Sequence, residues 1–451
     1  MSESYALLDQ IGNTPMVELT HFDTGPCRLF VKLESLNPGG SIKDRIGLSM
    51  IEQAEQRGDI KPGDTLLEAT AGNTGLGLAL VASQKGYKLI VVMPDKMSLE
   101  KINTLRSMGA DVRMTRSDVE RGHPEYYQDF ARTMAEEHGY YFINQFGNPD
   151  NVLAHTTTTG PEIWKQMDMK IDAFVCGVGS GGTLSGVGGY LKEKNPDVQL
   201  ILADPQGSIL ADYVNKGEIH DAGKWLVEGI GEDFIPDICD IDLAHSAYTV
   251  SDREAFMHVR ELLQREGIMA GTSTGTLLCA ALQYCRAQTE PKRVVTLVCD
   301  NGARYISKVF NEDWMLDQGL IARPVHHDLR DLISHPHSER TTIIVTPEDT
   351  IHTALKRAKL HSVSQLPVME GDRIVGIIDE WDMLQAVYAD SEAFNQPLKS
   401  FMTSRLEVID YRSPVAELLP IFSRDYVAIV MDDDDFLGIV TRIDMINYLR
   451  N

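Results

Sequence analysis

The stretch NPGGSIKDRIG, residues 37 to 47, places one lysine, Lys43, behind two glycines and a serine at a predicted helix start. The positive end of the helix dipole disfavours a charged amine, so we expect the pKa of this lysine to be lowered. A less protonated amine is a better nucleophile and forms Schiff bases with carbonyl compounds. The alternative is that Lys43 is an exposed residue of an amphipathic helix running to about Arg57.

A second stretch, GVGSGGTLSG (177–186), stands between the apolar run IDAFVC and a predicted helix that reaches about Lys194. Backbone N–H groups of small residues at a helix start bind phosphate. A dinucleotide fold is the competing interpretation, but the spacing is not G-x-G-x-x-G and no acidic partner on a following strand is evident. A monophosphate therefore fits better, and a reactive lysine with a monophosphate site is what pyridoxal phosphate (PLP) requires.

Two further turns carry polar side chains. EATAGNTGLGLAL (68–80) offers Thr70, Asn73 and Thr74, which suit a substrate carboxylate, and Asn73 can also hydrogen-bond a phenolic oxygen of the cofactor. AGTSTGTLLCA (270–280) offers Ser273 as a partner of the pyridine nitrogen. A neutral hydroxyl does not hold that nitrogen protonated, which favours elimination of a β-substituent. Ordinary helix capping is the alternative for both turns.

Apolar runs and helical segments alternate along the first 310 residues and must position these turns. The runs KLIVVMP (88–94), IDAFVCGVG (171–179), VQLILADP (198–205) and RVVTLVCD (293–300) lack polar alternation, which is typical of strands buried on both faces. Helices are predicted over 98–109 and over 251–267, the second with a Ser or Asp cap and a closing glycine. The pattern predicts an α/β protein with mainly parallel sheets.

The sequence pattern changes after Arg304. The chain then contains two similar stretches, 342–384 and 405–446. Each reads strand, helix, strand, turn, strand, helix, and ends in G-I-I/V-x-x-x-D. Two copies indicate a pseudo-symmetric pair rather than an open solenoid. We therefore expect a catalytic domain over 1–310, a linker over 311–330, and two small domains over 331–390 and 391–451.

Composition excludes several classes of protein. The 451 residues include 42 Lys plus Arg against 66 Asp plus Glu, so nucleic acid is a poor partner. The N-terminus lacks a secretory signal and no apolar run approaches the roughly 18 residues of a membrane span, which predicts a cytoplasmic protein without membrane contact. The six cysteines show no C-x-x-C spacing, and His326 and His327 have no further spaced ligands, so reduced thiols and no metal are expected.

Together these motifs resemble the β-replacing PLP enzymes of fold type II, and among them the cystathionine β-synthase family. The resemblance covers nearly the whole chain, and the repeat is similar to a pair of CBS domains. It is carried by IGNTPMVEL (11–19), NPGGSIKDRIG, EATAGNTG, NQFGNPDN (144–151), GSGGT (179–183), VEGIGEDFIP (227–236), GTSTG (271–275) and the tandem repeat. The implied fold has two α/β subdomains with parallel-type sheets, followed by two βαββα domains.

The resemblance also implies roles. Lys43 would bind the cofactor aldehyde and move the Cα proton. The reaction would take L-serine through an enzyme-bound aminoacrylate and add L-homocysteine, giving L-cystathionine. The implied cofactor ligands are Asn73, Gly179, Ser180, Gly181, Gly182, Thr183 and Ser273. The implied substrate-binding residues are Thr70, Ala71, Asn73, Thr74 and Gln145 for the amino-acid carboxylate, with Gly229, Gly231 and Glu232 near the second substrate.

Some positions depart from the family pattern. Ala71 stands where relatives often carry serine, and Phe146 replaces a tyrosine common in animal enzymes. Glu232 stands where the animal loop has tyrosine; it is a candidate partner for the ammonium of homocysteine, or else a solvated loop residue. Only a few residues precede IGNTPMVEL, so no haem is expected.

The C-terminal pair resembles adenosyl-ligand sensors, in which a terminal Thr and Asp hold a ribose. The second repeat supplies Thr441 and Asp444, whereas the first has Asp379 and Asp382. One site is expected, for S-adenosylmethionine or an adenine nucleotide, unless the pair serves assembly only. Dimers are usual in this family, so a homodimer or higher homo-oligomer is expected.

Two alternative functions remain open from the sequence. A cysteine synthase-type enzyme would use O-acetylserine and sulfide, which Phe146 and TTGPEIW (158–164) favour and the tandem repeat disfavours. A non-catalytic adenosyl sensor would keep the fold without the chemistry, which the joint presence of Lys43, GSGGT and Ser273 disfavours.

Overall fold

The structure, a computed structural model, describes residues 6–70, 72–95, 97, 99–119, 122–322, 325–339 and 341–450. Its internal contacts divide the chain into two compact units, Met1–Met315 and Leu316–Asn451. Within the described ranges, no helix combines the length and the apolar character that crossing a membrane requires.

The first unit is an alternation of strands and helices. Its strands are β1 Met16–Glu18, β2 Arg28–Leu33, β3 Thr65–Ala69, β4 Lys88–Pro94, β5 Asp111–Thr115, β6 Tyr141–Phe142, β7 Ala173–Cys176, β8 Gln199–Pro205, β9 Ser246–Val250 and β10 Arg293–Val298. Its helices are α1 Lys43–Arg57, α2 Asn73–Lys85, α3 Leu99–Ser107, α4 Tyr127–His138, α5 Pro149–Ala154, α6 Gly160–Gln166, α7 Gly189–Lys194, α8 Leu210–Lys216, α9 Asp252–Glu266, α10 Thr272–Arg286 and α11 Glu312–Asp317. Two π-helical turns, His155–Thr159 and Leu184–Gly188, precede α6 and α7.

The smaller lobe of this unit is built on a four-stranded parallel sheet in the order β5-β4-β3-β6. Apolar residues of α1, α2 and α3 pack on one face of the sheet, and those of α4 pack on the other. Burial on both faces explains why KLIVVMP has no polar alternation.

The larger lobe is built on a six-stranded sheet in the order β1-β2-β10-β7-β8-β9. All its pairs are parallel except β1 with β2. The α/β class with parallel-type sheets is therefore confirmed. The run IDAFVCGVG is strand only as far as Cys176, because the chain turns at Gly177 into the glycine-rich loop.

Local capping signals set several helix ends. Ser251 is the N-cap of α9 and forms a reciprocal capping box with Glu254, while Gly267 ends the helix with φ +70°. The predicted helix over 98–109 is α3, two residues shorter at its C-terminal end.

The second unit contains the repeat. Its strands are β11 Gln365–Glu370, β12 Arg373–Asp379, β13 Glu407–Asp410, β14 Ala428–Asp432 and β15 Asp435–Val440, and its helices are α12 Ile351–His361, α13 Glu380–Ala389, α14 Leu418–Phe422 and α15 Arg442–Arg450. Each copy has its own apolar core, and side chains of both copies form a third.

The first copy differs from its predicted order, because TIIVT forms no strand. Val345 makes a single bridge to Val368, with backbone bonds to Pro367 O and from Met369 N. Pro367 has no N–H to donate, so the pairing stops there. In the second copy, the equivalent strand β13 pairs with β14 over four residues.

Candidate active site

A cavity of about 710 Å³ lies in the first unit and is lined by both lobes. Every described residue that the resemblance assigned to the cofactor or the substrates lies on its wall. They are Lys43, Thr70, Asn73, Thr74, Gln145, Gly179, Ser180, Gly181, Gly182, Thr183, Gly229, Gly231, Glu232 and Ser273. Ala71 lies outside the described residues.

Lys43 is the first residue of α1, and its side chain faces the cavity. The backbone before it is fixed by a bond from Ile42 N to Cys299 O at 2.9 Å. Burial lowers the pKa of the Lys43 amine, and electrostatic interactions with Cys299, Asp300 and Glu232 partly oppose this shift. The direction agrees with the prediction, but burial rather than the helix dipole is the main cause. The alternative of an exposed Lys43 is wrong.

The close approach of α1 and α2 fixes the position of the lysine. A Cβ atom at Gly77 would lie 2.6 Å from Lys43 O, and one at Gly47 would lie 2.8 Å from the carbonyl carbon of Gly77. The two glycines therefore let the helices cross with their backbones in contact. The start of α1 cannot shift without moving α2.

The Gly179–Thr183 turn connects β7 to the π-helical turn before α7. A Cβ atom at Gly181, where φ is +88°, would lie 2.4 Å from Cys239 Cβ, and one at Gly182 would lie 2.0 Å from Asn151 Oδ1. No described residue accepts a hydrogen bond from the N–H groups of Ser180 to Thr183. This side-chain-free turn with open donors at a helix start fits the phosphate of PLP.

Asn151 supports this turn and was missed as a site residue from the sequence. It is fully buried, and its Nδ2 donates to Gln145 O at 2.8 Å and to Ser180 Oγ at 2.9 Å. Its buried Oδ1 has no hydrogen-bond partner among the described residues. The sequence signal was the end of NQFGNPDN, where Asn148 caps α5.

The side chains of the turn before α2 form hydrogen bonds with other residues of the protein. Gly72 is the N-cap and no side chain caps this helix, so the capping alternative is wrong for Asn73 and Thr74. Asn73 Nδ2 donates to Asp300 Oδ2 at 2.7 Å, and its Oδ1 accepts a bond from Arg304. Asp300 and Arg304 thus orient the Asn73 amide at the cavity wall.

Thr74 and Gln145 form the floor beside this turn. Thr74 Oγ1 donates to Gln145 Oε1 at 2.6 Å, and both residues are buried. Thr70 Oγ1 accepts a bond from Gly72 N at 3.2 Å. Thr70, Thr74 and Gln145 thus line the cavity together, and a bound carboxylate would take over donors that now bond within the protein.

Ser273 also lines the cavity, in the first turn of α10. The N-cap is Gly271 and no side chain caps this helix, so the capping alternative is wrong here too. Ser273 is buried and hydrogen-bonds the thiol of Cys299, whose pKa burial raises to about 12. Cys299 also lies beside Lys43, so Ser273 and the amine are brought close together.

The loop assigned to the second substrate runs along the larger lobe. Gly229 and Gly231 have φ of +89° and +87°, and Gly231 N donates to Val178 O at 2.8 Å. Glu232 is half-buried and lines the cavity, so its side chain is only partly solvated, and its role toward the second substrate stays a prediction. Burial raises its pKa well above the ordinary value, as does Asp233, while Lys43 opposes the shift.

A charged group that the sequence did not reveal joins the two lobes. Lys101 of α3 and Lys308 both contact Glu228, which lies next to the Gly229 turn. Lys308 Nζ is 2.8 Å from Glu228 Oε1, and the second carboxylate oxygen binds Lys101. Two ammonium groups on one carboxylate leave a positive charge at the cavity wall.

Comparisons with known proteins agree with this architecture. Residues 7–300 match the family model described as pyridoxal-phosphate dependent enzyme, and residues 330–389 and 398–451 match the CBS domain. The chain is 34% identical to a cystathionine beta-synthase of Dictyostelium discoideum, covering 98% of this chain and 92% of the relative. It is 36% identical to that of Mus musculus, covering 95% and 77%.

Two solved structures resemble the chain. An O-ureido-L-serine synthase is 33% identical with a TM-score of 0.64, covering 70% of this chain and 99% of that one. A hydrogen sulfide-producing enzyme of Fusobacterium nucleatum is 38% identical with a TM-score of 0.62, covering 67% and 100%. The chain therefore belongs to the pyridoxal-phosphate-dependent enzyme family, within which it groups with cystathionine beta-synthases, and it carries a C-terminal pair of CBS domains.

Proposed function

We propose that the protein condenses L-serine with L-homocysteine to give L-cystathionine and water. The observation that carries the proposal is the placement of the Lys43 amine in the same cavity as the open N–H groups of Gly179–Thr183. PLP, when bound, withdraws electrons from the substrate Cα. The identity to cystathionine beta-synthases over nearly the full chain supports the choice of substrates.

The roles of the side chains follow from their positions. Lys43 holds the cofactor aldehyde and then moves the proton of the substrate Cα, for which its lowered pKa is suited. Gly179, Ser180, Gly181, Gly182 and Thr183 would hold the phosphate, and Asn73 and Ser273 would contact the ring oxygen and the ring nitrogen. Thr70, Ala71, Asn73, Thr74 and Gln145 bind the amino-acid carboxylate. Gly229, Gly231 and Glu232 border the second substrate.

Product analysis tests the reaction directly. The purified enzyme is expected to form cystathionine from serine plus homocysteine faster than cysteine from O-acetylserine plus sulfide. Lys43→Ala should abolish both reactions and the visible absorbance of the bound cofactor, because it removes the amine that binds the cofactor aldehyde. The exposed Lys61→Ala is the matched control and should retain both. Faster formation of cysteine would contradict the proposal.

A cysteine synthase-type activity is the second candidate. It is favoured by Phe146, which lines the cavity and packs on Phe234 with ring centroids 5.6 Å apart. An apolar wall there suits a smaller nucleophile. The two solved relatives cover 70% and 67% of the chain, and their names differ from that of the curated relatives.

The C-terminal pair is proposed to bind an adenosyl ligand at Thr441 and Asp444. Thr441 N and Oγ1 both donate to Asp444 Oδ2, at 2.8 and 2.5 Å, and Ser334 binds the other carboxylate oxygen. Ribose hydroxyls would replace these donors. In the first repeat, Asp379 caps α13 in a box with Asp382 and offers no hydroxyl.

Calorimetry with S-adenosylmethionine and with ATP tests this site. Asp444→Asn should abolish binding, whereas Asp379→Asn, at the matching position of the first repeat, should not. Equal loss in both variants, or binding to neither wild-type nor variant protein, would contradict it.

We further propose a cytoplasmic homodimer or higher homo-oligomer with a linker over 311–330. Light scattering measures the mass, and the six unpaired cysteines support a reducing compartment.

A further inference from the structure

Serine poses a chemical problem that O-acetylserine does not. Its leaving group is hydroxide, which departs readily only when a proton is delivered to it, whereas acetate leaves unaided. An enzyme that accepts serine therefore needs an acid near the substrate Cβ. The identity of this acid matters only if serine is the substrate, and it therefore rests on the proposed function.

Two carboxyl groups line the cavity, in the part of it that the structure describes. Glu228 is bound by both Lys101 and Lys308, which hold its pKa below the ordinary value, so it is an anion and a poor proton donor. Glu232 differs, because its carboxyl group makes no hydrogen bond or ion pair with any described residue. It is free to contact a substrate.

Hydrogen bonds fix the backbone of Glu232, so the point from which its side chain extends is fixed. Glu232 N donates to Ser208 Oγ at 3.1 Å, and Glu232 O accepts a bond from Ile209 N at 3.1 Å. Its carboxyl oxygen Oε1 lies 3.9 Å from the position that a Cβ atom of Gly179 would occupy. The carboxyl group thus lies beside the glycine turn, within electrostatic range of Lys43, and both residues line the same cavity.

We propose that Glu232 is the general acid that protonates the hydroxyl leaving group of serine. Lys43 removes the Cα proton, the Cα–H electron pair forms a Cα=Cβ double bond, and the Cβ–O bond breaks with its electron pair on the oxygen, which takes the Glu232 proton and leaves as water. When the sulfur of homocysteine bonds to Cβ, the double-bond pair takes a proton at Cα from Lys43 and the thiol proton returns to the Glu232 carboxylate. Protons and electrons balance over the two steps.

The surroundings of Glu232 keep it protonated until it is used. Burial raises its pKa, and Asp233 and Asp204 raise it further, whereas the Lys43 ammonium lowers it. Tyr127, on α4 of the smaller lobe, also lies within electrostatic range and is uncharged, because burial raises the pKa of its hydroxyl. Lys43 takes up the proton of the substrate Cα, so a second group is needed to protonate the leaving oxygen.

Single-turnover kinetics without any thiol isolates this step. Glu232→Gln keeps the size of the side chain and removes the proton. We expect it to slow the reaction of serine by about 10²-fold or more, the usual contribution of a general acid, while O-acetylserine reacts at the wild-type rate. With wild-type enzyme the serine rate should fall as pH rises through the pKa of Glu232, and this limb should vanish in the variant.

Two further variants complete the test. Asp237→Asn changes an exposed acid on the same loop and should leave both substrates unaffected. Glu232→Asp retains the proton and should recover part of the serine rate, even if the Gln variant folds poorly. Equal losses with serine and O-acetylserine, or no loss with either, would overturn the inference; the second result is what ammonium recognition of homocysteine predicts. A wild-type enzyme inert toward serine would refute the proposed function itself.

Discussion

Gly182→Ala tests how tightly the phosphate turn is packed, because a Cβ atom there would lie 2.0 Å from Asn151 Oδ1. Asn151 is fully buried and cannot move away without losing its bonds to Gln145 O and Ser180 Oγ. Each buried hydrogen bond contributes about 0.5 to 1.5 kcal/mol. Loss of both would release Ser180 and the phosphate turn, so we expect PLP binding to weaken by about 1 to 3 kcal/mol, a factor of roughly 5 to 150 in the dissociation constant.

The assay is a fluorescence titration of the apoenzyme with PLP. Gly189→Ala is the matched control, because a Cβ atom at Gly189 meets nothing within 4 Å and its φ is −58°. The control should bind PLP as the wild type does and gain about 0.5 to 1 kcal/mol of stability from the better helix former. If Gly182→Ala bound PLP as tightly as Gly189→Ala, the packing argument for the turn would be refuted.

Two predictions concern buried ionisable groups and are checked by urea unfolding. Glu162 binds Arg45 and Lys32, and these contacts lower its pKa to about 2, so its stabilisation is present above its unfolded pKa and is lost as pH falls toward 2. Glu162→Gln should destabilise the enzyme at pH 7 by on the order of 3 kcal/mol; a difference from wild type that does not shrink below about pH 5 would contradict this. His155 bonds Thr159 at 3.0 Å, and burial holds its pKa well below the ordinary value, so stability falls as pH drops below about 6.5. His155→Gln should flatten that fall, and an unchanged slope would count against a buried neutral imidazole.

Much of the fold could be predicted from local patterns. KLIVVMP is β4 to the residue, and the helix that begins at Lys43 ends at Arg57. Side-chain periodicity, caps and glycine stops act over a few residues, so they can be read along the chain. Two predicted strands differed from the structure. TIIVT (342–346) forms only a single bridge to its partner strand, and the strand predicted for IDAFVCGVG ends at Cys176, where the chain turns.

The residue types of the site could also be predicted from the sequence, because the order of the motifs identified the lysine, the glycine turn and Ser273. The environment of these residues could not be predicted. Burial in the cavity, rather than the start of a helix, is the main cause of the low pKa of Lys43, and burial together with Asp233 raises the pKa of Glu232. The Lys101–Glu228–Lys308 group had no readable signal, and the motif NQFGNPDN did not reveal that Asn151 supports the glycine turn. Desolvation and charge depend on residues brought together from distant parts of the chain, so only the tertiary structure could decide them.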